Sequence, residues 1–346
     1  MKISLYGRKP FPGQVSLEAQ FEHIRAALPA EFQTRTCTSR FVSKGLWRRV
    51  VNLFDAALNQ SDINHITGDV HYLGLMLDPR KTILTVHDCS TMYGRPWPAR
   101  MILRWFWYVL PARRAAAVTT ISEKSRRELA GILRVDARSI RVIPDCVGGE
   151  FTWSPKEFRS ECPEILQIGT RPNKNLIRLA EALRGIPCRL RIVGQLDAAA
   201  ERALRENRIE HVNEFGLTAA QIVERYRACD IVTFVSTYEG FGVPVLEGQA
   251  TGRPVVTSNI APMRDIAGEG ACLADPLDPA SIRQCVLRLM NDAVYRESVV
   301  RRGLENASRY RPAAIAAQYA ALYAEIYRGP LNSRADSADI PHRARA

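Results

Sequence analysis

The chain has 346 residues with 48 Lys/Arg against 36 Asp/Glu, a net charge of +12, and is 46% hydrophobic and 24% charged. Those proportions belong to a soluble globular protein, and the length suits two ordinary domains better than one. They argue against a spanning helix, since no run of 18 uncharged apolar residues occurs, and eight scattered cysteines without a Cys-x-x-Cys pair fit free thiols better than a zinc or disulfide framework. The thiols fit a reducing, cytoplasmic setting and mostly buried positions. The basic excess is lopsided: 22 Lys/Arg against 13 Asp/Glu over residues 1–150, but 26 against 23 over residues 151–346. A positive first half can meet anionic lipid, nucleic acid or a phosphorylated acceptor, or serve solubility alone.

In chain order, Ile3–Tyr6 reads as a short strand; it lacks the longer apolar core and small-residue cleavage site of a signal peptide. Helix-period patterns follow at Leu17–Leu28 and Leu46–Leu58, then strands at Ile63–Thr67 and Ile83–His87. Ala99–Arg114 reads as a helix, Ala117–Ile121 as a strand, Glu123–Leu133 as a helix and Ile140–Ile143 as a strand. The stretch from Trp97 to Tyr108 mixes Trp, Phe, Leu and Arg, which suits either a helix lying at a membrane surface or a core helix with Arg caps. Asp145 to Pro163 carries Gly148-Gly149 and two prolines without periodicity and reads as a linker. A second series begins with a strand at Glu164–Gly169, followed by strands at Arg189–Val193, Ile231–Val235 and Pro254–Thr257. Helices fit Pro279–Met290, Val294–Arg309 and Pro312–Tyr327, and the small polar run from Gly329 reads as a frayed tail. Strands alternating with helices in both halves predict two α/β units with parallel sheets.

The most informative segment is Glu239-Gly240-Phe241-Gly242-Val243-Pro244-Val245-Leu246-Glu247. It follows the apolar strand Ile231–Val235, Pro244 suits the first turn of a helix, and Gly252 suits its end. Strand, Gly loop and helix N-terminus together make a natural seat for phosphate. Two carboxylates touching that phosphate would repel it, so they more naturally accept hydrogen bonds from hydroxyls. The expected ligand therefore carries both a diphosphate and a sugar. Gly169-Thr170-Arg171-Pro172-Asn173-Lys174 is a second strand-to-helix loop, and its two cations suit a diphosphate leaving group. On the first half, His87-Asp88 ends a strand, where ligand sites of such sheets lie. Asp69 and His71 follow another strand, and both pairs are candidates there.

The spacing Glu239-x7-Glu247 with its Gly-Phe-Gly-x-Pro interior, followed by Thr251-Gly252-Arg253-Pro254-Val255-Val256, resembles the signature of the retaining glycosyltransferases of family four. The resemblance runs from the first strand to the last helix. It implies an α/β fold of the GT-B kind, two doubly wound Rossmann-like domains facing a cleft. The acceptor domain would span residues 1–150 and the nucleotide-sugar domain 151–312, with a helix at 313–328 crossing back to the first and a flexible tail at 329–346. It also implies transfer of a hexose from a UDP- or GDP-linked sugar to a saccharide or lipid-linked saccharide acceptor. The reaction would retain configuration by same-face attack and need neither metal nor other cofactor.

By the same resemblance, Arg171 and Lys174 sit on the donor phosphates, although Gly-Thr-Arg stands here where Gly-Arg is commoner. Glu247 would hold the ribose, and Glu239 and His87 the donor sugar. Gly169, Gly194 and Phe215 would flank the nucleotide, and the N–H groups of Phe241, Gly242 and Val243 would meet sugar or phosphate oxygens. Gly13 and Gln14, after the first strand, are acceptor candidates together with Asp69, His71 and Asp88. Gly248-Gln249 replaces the usual Ala-Met and is expected to affect packing. The expected partners are thus the nucleotide sugar, the acceptor and an anionic membrane surface that would hold the protein peripherally, with no nucleic acid. A silent sugar-nucleotide scaffold and a basic nucleic-acid binder are the rival readings. No Gly-x-Gly-x-x-Gly follows the first strand, which disfavours a dehydrogenase.

Overall fold

The computed structural model describes residues 1–9 and 16–329. Gly13 and Gln14, and the expected tail beyond Gly329, lie outside the described residues. The chain divides into two compact units. One takes in Met1–Ile121, Ser125–Ile143 and the chain from Ala316; the other takes in Ser122–Lys124 and Pro144–Ile315.

The first unit runs β1 (Lys2–Gly7), α1 (Ser16–Ala26), β2 (Gln33–Thr38), α2 (Leu46–Leu58), β3 (Ile63–Ile66), a 3-10 turn at His71–Leu75 and β4 (Thr82–Val86). It continues with α3 (Trp97–Leu103), a π-helical stretch at Arg104–Val109, α4 (Leu110–Arg114), β5 (Ala117–Thr120), α5 (Glu123–Leu133) and β6 (Arg141–Val142). Its six strands pair in the order β2-β1-β3-β4-β5-β6, all in parallel. The helix expected from Ala99 starts two residues earlier, at Trp97, where Pro98 can occupy the first turn without losing a hydrogen bond.

Strands β3 and β4 are buried at every position, as a parallel sheet covered on both faces requires. That leaves the polar His65 inside. Its two ring nitrogens lie 2.8 Å from the Tyr323 hydroxyl and 2.7 Å from Thr85 Oγ1. Burial pushes the imidazole down to about 3, so it stays neutral and bonded. Tyr323 belongs to the last helix, α13 (Pro312–Arg328), whose Tyr319 also packs on Phe21 and His65.

The second unit runs β7 (Glu164–Ile168), α6 (Leu176–Leu183), β8 (Arg189–Val193), α7 (Ala198–Glu206), β9 (His211–Glu214), α8 (Ala219–Ala228) and β10 (Ile231–Phe234). It closes with α9 (Val243–Ala250), β11 (Val255–Ser258), α10 (Met263–Ala267), β12 (Cys272–Ala274), α11 (Pro279–Asn291) and α12 (Ala293–Ser308). The strand order is β12-β11-β10-β7-β8-β9, and every pair is parallel. Counted from β7, this is the 3-2-1-4-5-6 order of a dinucleotide-binding sheet, whose order reverses between β7 and β10. The linker is tied to this unit through Asp230, whose buried carboxylate accepts from Lys156, from Arg159 Nη2 at 2.8 Å and from the Glu164 N–H at 2.8 Å.

Helix α9 shows why Gly248 and Gln249 stand where they do. A Cβ on Gly248 would come within 2.9 Å of Val255 Cγ2 and 3.2 Å of Val232 Cβ, so the helix presses on β10 and β11 without room for a methyl. Gln249 is buried; its amide donates to the carbonyls of Ala267 at 2.8 Å and Gly270 at 3.1 Å and accepts from Asn306 at 2.9 Å. Gln249→Met keeps the shape but strands those partners. It should cost about 2 kcal/mol, read as a lower urea midpoint, and an unchanged midpoint would show that the network contributes nothing net.

Candidate active site

The reversal of strand order places the ends of β7 and β10 side by side, and the loops that follow them meet. After β7 the chain turns through Gly169 at φ +86°, passes Arg171, and makes a 3-10 turn over Pro172–Lys174 before Asn175 at φ +64° starts α6. A Cβ at Gly169 would lie 3.0 Å from Lys174 Cγ. The glycine therefore serves both the left-handed turn and the close passage of the lysine stem. After β10 come Glu239 and Phe241, then Gly242 at φ +129°, which starts α9 at Val243.

Lys174 Nζ lies 2.6 Å from Glu239 Oε1 and 4.4 Å from the centre of the Phe234 ring. Asn173 donates to the same Oε1 at 3.1 Å and to the Tyr238 carbonyl at 2.9 Å, and its own carbonyl accepts from the Thr237 N–H at 2.8 Å. Asn175 reaches across to the Val235 carbonyl at 2.9 Å. Two asparagines thus lock one loop to the other, and the half-buried lysine and carboxylate are held as a pair. Arg171, by contrast, points from the loop into solvent.

Glu247 stands one turn into α9. Its Oε2 accepts from the hydroxyl of Tyr226, on α8, and Tyr226 packs edge-on against Phe151 at 5.3 Å. The carboxyl keeps part of its surface open, yet its low-dielectric surroundings push it up to about 7 against the pull of the tyrosine bond. Burial and the same carboxylate drive the Tyr226 phenol well above its usual value, so it acts as donor throughout.

Gly194, at φ +142°, passes Thr170 so closely that a Cβ would sit 2.9 Å from Thr170 Cγ2, and Thr170 Oγ1 donates to the Gln195 carbonyl at 2.6 Å. The end of β8 thus joins the same corner. Phe241 is buried against Tyr310, whereas Phe215 is 69% exposed on the loop after β9. Tyr226, Asn173 and Asn175 were not among the expected site residues. Only tertiary placement brings Tyr226 to a carboxylate 21 positions away.

In the first unit His87 follows β4, with Nε2 2.8 Å from the Thr67 carbonyl and the ring edge-on to Phe21 at 5.8 Å. A carbonyl partner means that Nε2 carries a hydrogen. Asp88 caps the next turn, accepting from Ser90 N at 2.8 Å and Ser90 Oγ at 2.6 Å. Asp69 accepts from the Trp107 indole at 2.9 Å. His71 is buried between Trp107 and Tyr108, and burial lowers its pKa. All three therefore have structural work within this unit. Among the described residues no group of three or more His, Cys, Asp or Glu gathers to hold a metal ion.

Two family models match the chain: "Glycosyltransferase Family 4" over residues 19–148 and "Glycosyl transferases group 1" over residues 162–292. A solved structure of Anabaena Alr3699/HepE in complex with UDP and glucose superposes with a TM-score of 0.74 at 16% identity, over 94% of this chain and 100% of that one. The fold is of the GT-B kind, and each half of the chain matches one glycosyltransferase family model. It is similar to the O-antigen chain mannosyltransferase B of Escherichia coli, at 28% identity over 57% of each chain. A serotype-specific mannosyltransferase, WbdA, also of Escherichia coli, is 26% identical over 63% of this chain and 30% of its own length. The match thus spans 57% and 30% of the lengths of these two relatives.

The raised Glu247 carboxyl has a consequence for stability. Its folded pKa lies above the unfolded value, so the neutral form supports the fold at low pH. That support fades as pH climbs from the unfolded value of 4.5 through about 7. Glu247→Gln should match the parent near pH 4 and exceed it near pH 8 by about 3 kcal/mol in urea unfolding. A gap independent of pH would mean that the carboxyl is not held neutral.

Proposed function

We propose that this glycosyltransferase moves a hexose from a nucleoside diphosphate sugar to a saccharide or lipid-linked saccharide acceptor, with retention of configuration and without a metal, in cell-surface polysaccharide assembly. The observation that carries the reading is the locked pair Lys174–Glu239 beside the N-terminus of α9, with Glu247 one turn further on. The lysine and the first N–H groups of α9 present positive charge to a diphosphate. Glu247, its Oε2 occupied by Tyr226, offers Oε1 to a ribose hydroxyl, and Glu239 meets the donor sugar while steadying Lys174. Arg171, exposed on the same loop, can swing onto the phosphates. His87 is assigned to a hydroxyl of the transferred sugar.

In the step itself the acceptor oxygen bonds to the anomeric carbon on the face from which the diphosphate departs. The anomeric carbon–oxygen bond to phosphate breaks, and the acceptor proton passes to the leaving phosphate oxygen. Lys174, Arg171 and the N-terminus of α9 lower the barrier because charge grows on that leaving oxygen. Two relatives are named as mannosyltransferases, which makes mannose the first sugar to try. A structural neighbour was solved with UDP and glucose, which keeps a uridine donor in the panel.

Calorimetry with UDP, GDP and ADP tests the donor site. One nucleotide should bind, and Glu247→Ala should weaken it by about 10- to 100-fold, the worth of a hydrogen bond to a charged group. If none of the three binds, the donor site is wrongly assigned. With the matching nucleotide sugar, Lys174→Ala should lower kcat by about 100-fold or more. A kcat within a few fold of the parent would remove Lys174 from the chemistry.

A further inference from the structure

Helix α2 wears its apolar face outward. Leu46, Val50, Phe54 and Leu58 recur every fourth residue, with Trp47 beside them, and all five are exposed, from 39% at Val50 to 86% at Leu58. A helix at the edge of a globular unit normally turns such a stripe inward. Here the inward face is Asn52 and Ala56. Asn52 is committed there by three bonds: it accepts from the Phe41 N–H at 2.9 Å and donates to the Phe41 carbonyl at 2.8 Å and to the Tyr72 hydroxyl at 3.0 Å. The helix cannot roll its stripe into the core without breaking them.

A second apolar set lies on the neighbouring element of the same unit. Trp97, Ile102, Trp105 and Phe106 are exposed, while Trp107, Tyr108 and Val109 are buried. The segment thus has one exposed face and one buried face. The two elements touch: the Arg49 guanidinium lies over the Trp107 ring at 5.4 Å, and Trp107 packs on Tyr72 at 5.2 Å.

The charge of these segments is nearly all of one sign, Asp55 on α2 being the one carboxylate within Leu46–Leu58 and Trp97–Phe106. Between Glu31 and Asp55 the chain has Arg35, Arg40, Lys44, Arg48 and Arg49 and no carboxylate. Between Asp88 and Glu123 it has Arg95, Arg100, Arg104, Arg113 and Arg114 and again none. These ten cations are nearly half of the 22 Lys/Arg in the first 150 residues. Trp47 and Trp105 carry guanidinium groups over their rings, from Arg48 at 5.4 Å and from Arg104 at 5.7 Å. Large apolar side chains bordered by Trp and Arg, with the single acid Asp55 among them, suit the boundary between acyl chains and anionic headgroups. No helix among the described residues is long and apolar enough to cross a membrane, so the contact would be made in the plane of the surface.

We propose that α2, together with the exposed side of Trp97–Phe106, is a docking face for an anionic lipid bilayer. Leu46, Trp47, Phe54 and Leu58 would enter the headgroup region with Trp97 and Phe106 as the second anchor. The face fits a lipid-linked acceptor, but the proposal does not rest on the donor site, and its test needs no nucleotide. Co-sedimentation of the full chain should show pelleting with vesicles of phosphatidylcholine and phosphatidylglycerol, little with phosphatidylcholine alone, and release as salt rises. The triple substitution Trp47→Ser, Phe54→Ser and Leu58→Ser removes only exposed groups. It should leave thermal unfolding unchanged and weaken vesicle binding by about tenfold or more. A chain that stays in the supernatant with anionic vesicles overturns the proposal, as does a triple variant that binds them as well as the parent. A dimer seen by sedimentation velocity and abolished by the same substitutions would assign the face to a second copy instead.

Discussion

The ion pair between Lys174 and Glu239 depends on a constraint set by the sheet. Parallel strands with helical crossovers leave only one place where neighbouring strands send their connections to opposite sides, and in the second unit that place lies between β7 and β10. Their two loops are therefore left facing each other without a crossover between them. Asn173 and Asn175 fill the gap with side-chain bonds to the opposite loop, doing for these backbone groups what strand pairing can no longer do. A lysine brought to such a corner alone would leave an uncompensated charge near apolar Phe234. Glu239 supplies the balance and fixes the ammonium within reach of a ligand.

The same corner explains why two carboxylates eight positions apart differ in character. Glu239 faces a cation on a loop, so its charge is matched. Glu247 sits on a helix packed tightly enough to demand a glycine at 248, and its strongest partner is a neutral phenol. The carboxyl is thereby raised toward neutrality. A hydroxyl-bearing ligand can be met by either form of such a group, whereas a phosphate could not approach it once ionised. The division of labour inferred from the motif, cation and helix end for phosphate and carboxylates for hydroxyls, has a counterpart in these two environments.

Much of this was legible in the chain, and what was not has a common cause. The strands buried on both faces announced themselves as apolar runs. The three that escaped, β2, β9 and β12, all lie at sheet edges, where one side faces no partner strand and sequences such as Gln33–Thr38 and His211–Glu214 can be polar. Lys174, Glu239 and Glu247 could be named because glycine and proline mark their loops. Tyr226 could not, because its meaning lies in a contact between two helices. Asp88 carried a local signal that outweighed its place at a strand end: a serine two residues on lets it close its own turn.

Helix α2 is the case where periodicity was read correctly and its direction could not be. A four-residue apolar repeat declares a helix with one greasy side, but nothing in the repeat says whether that side looks inward. The deciding residue is Asn52, a single amide on the opposite side whose donors and acceptor are all used by Phe41 and Tyr72. Rolling the helix over would bury five large side chains, yet it would also strand a peptide N–H and a carbonyl of Phe41 and leave the Tyr72 phenol with Ser43 alone. The polar anchor therefore sets the orientation, and the apolar stripe is what the anchor leaves outside. An outward stripe held in place by buried hydrogen bonds is part of the fold's design rather than a packing defect, which is why its chemistry can be read as a surface meant to be covered.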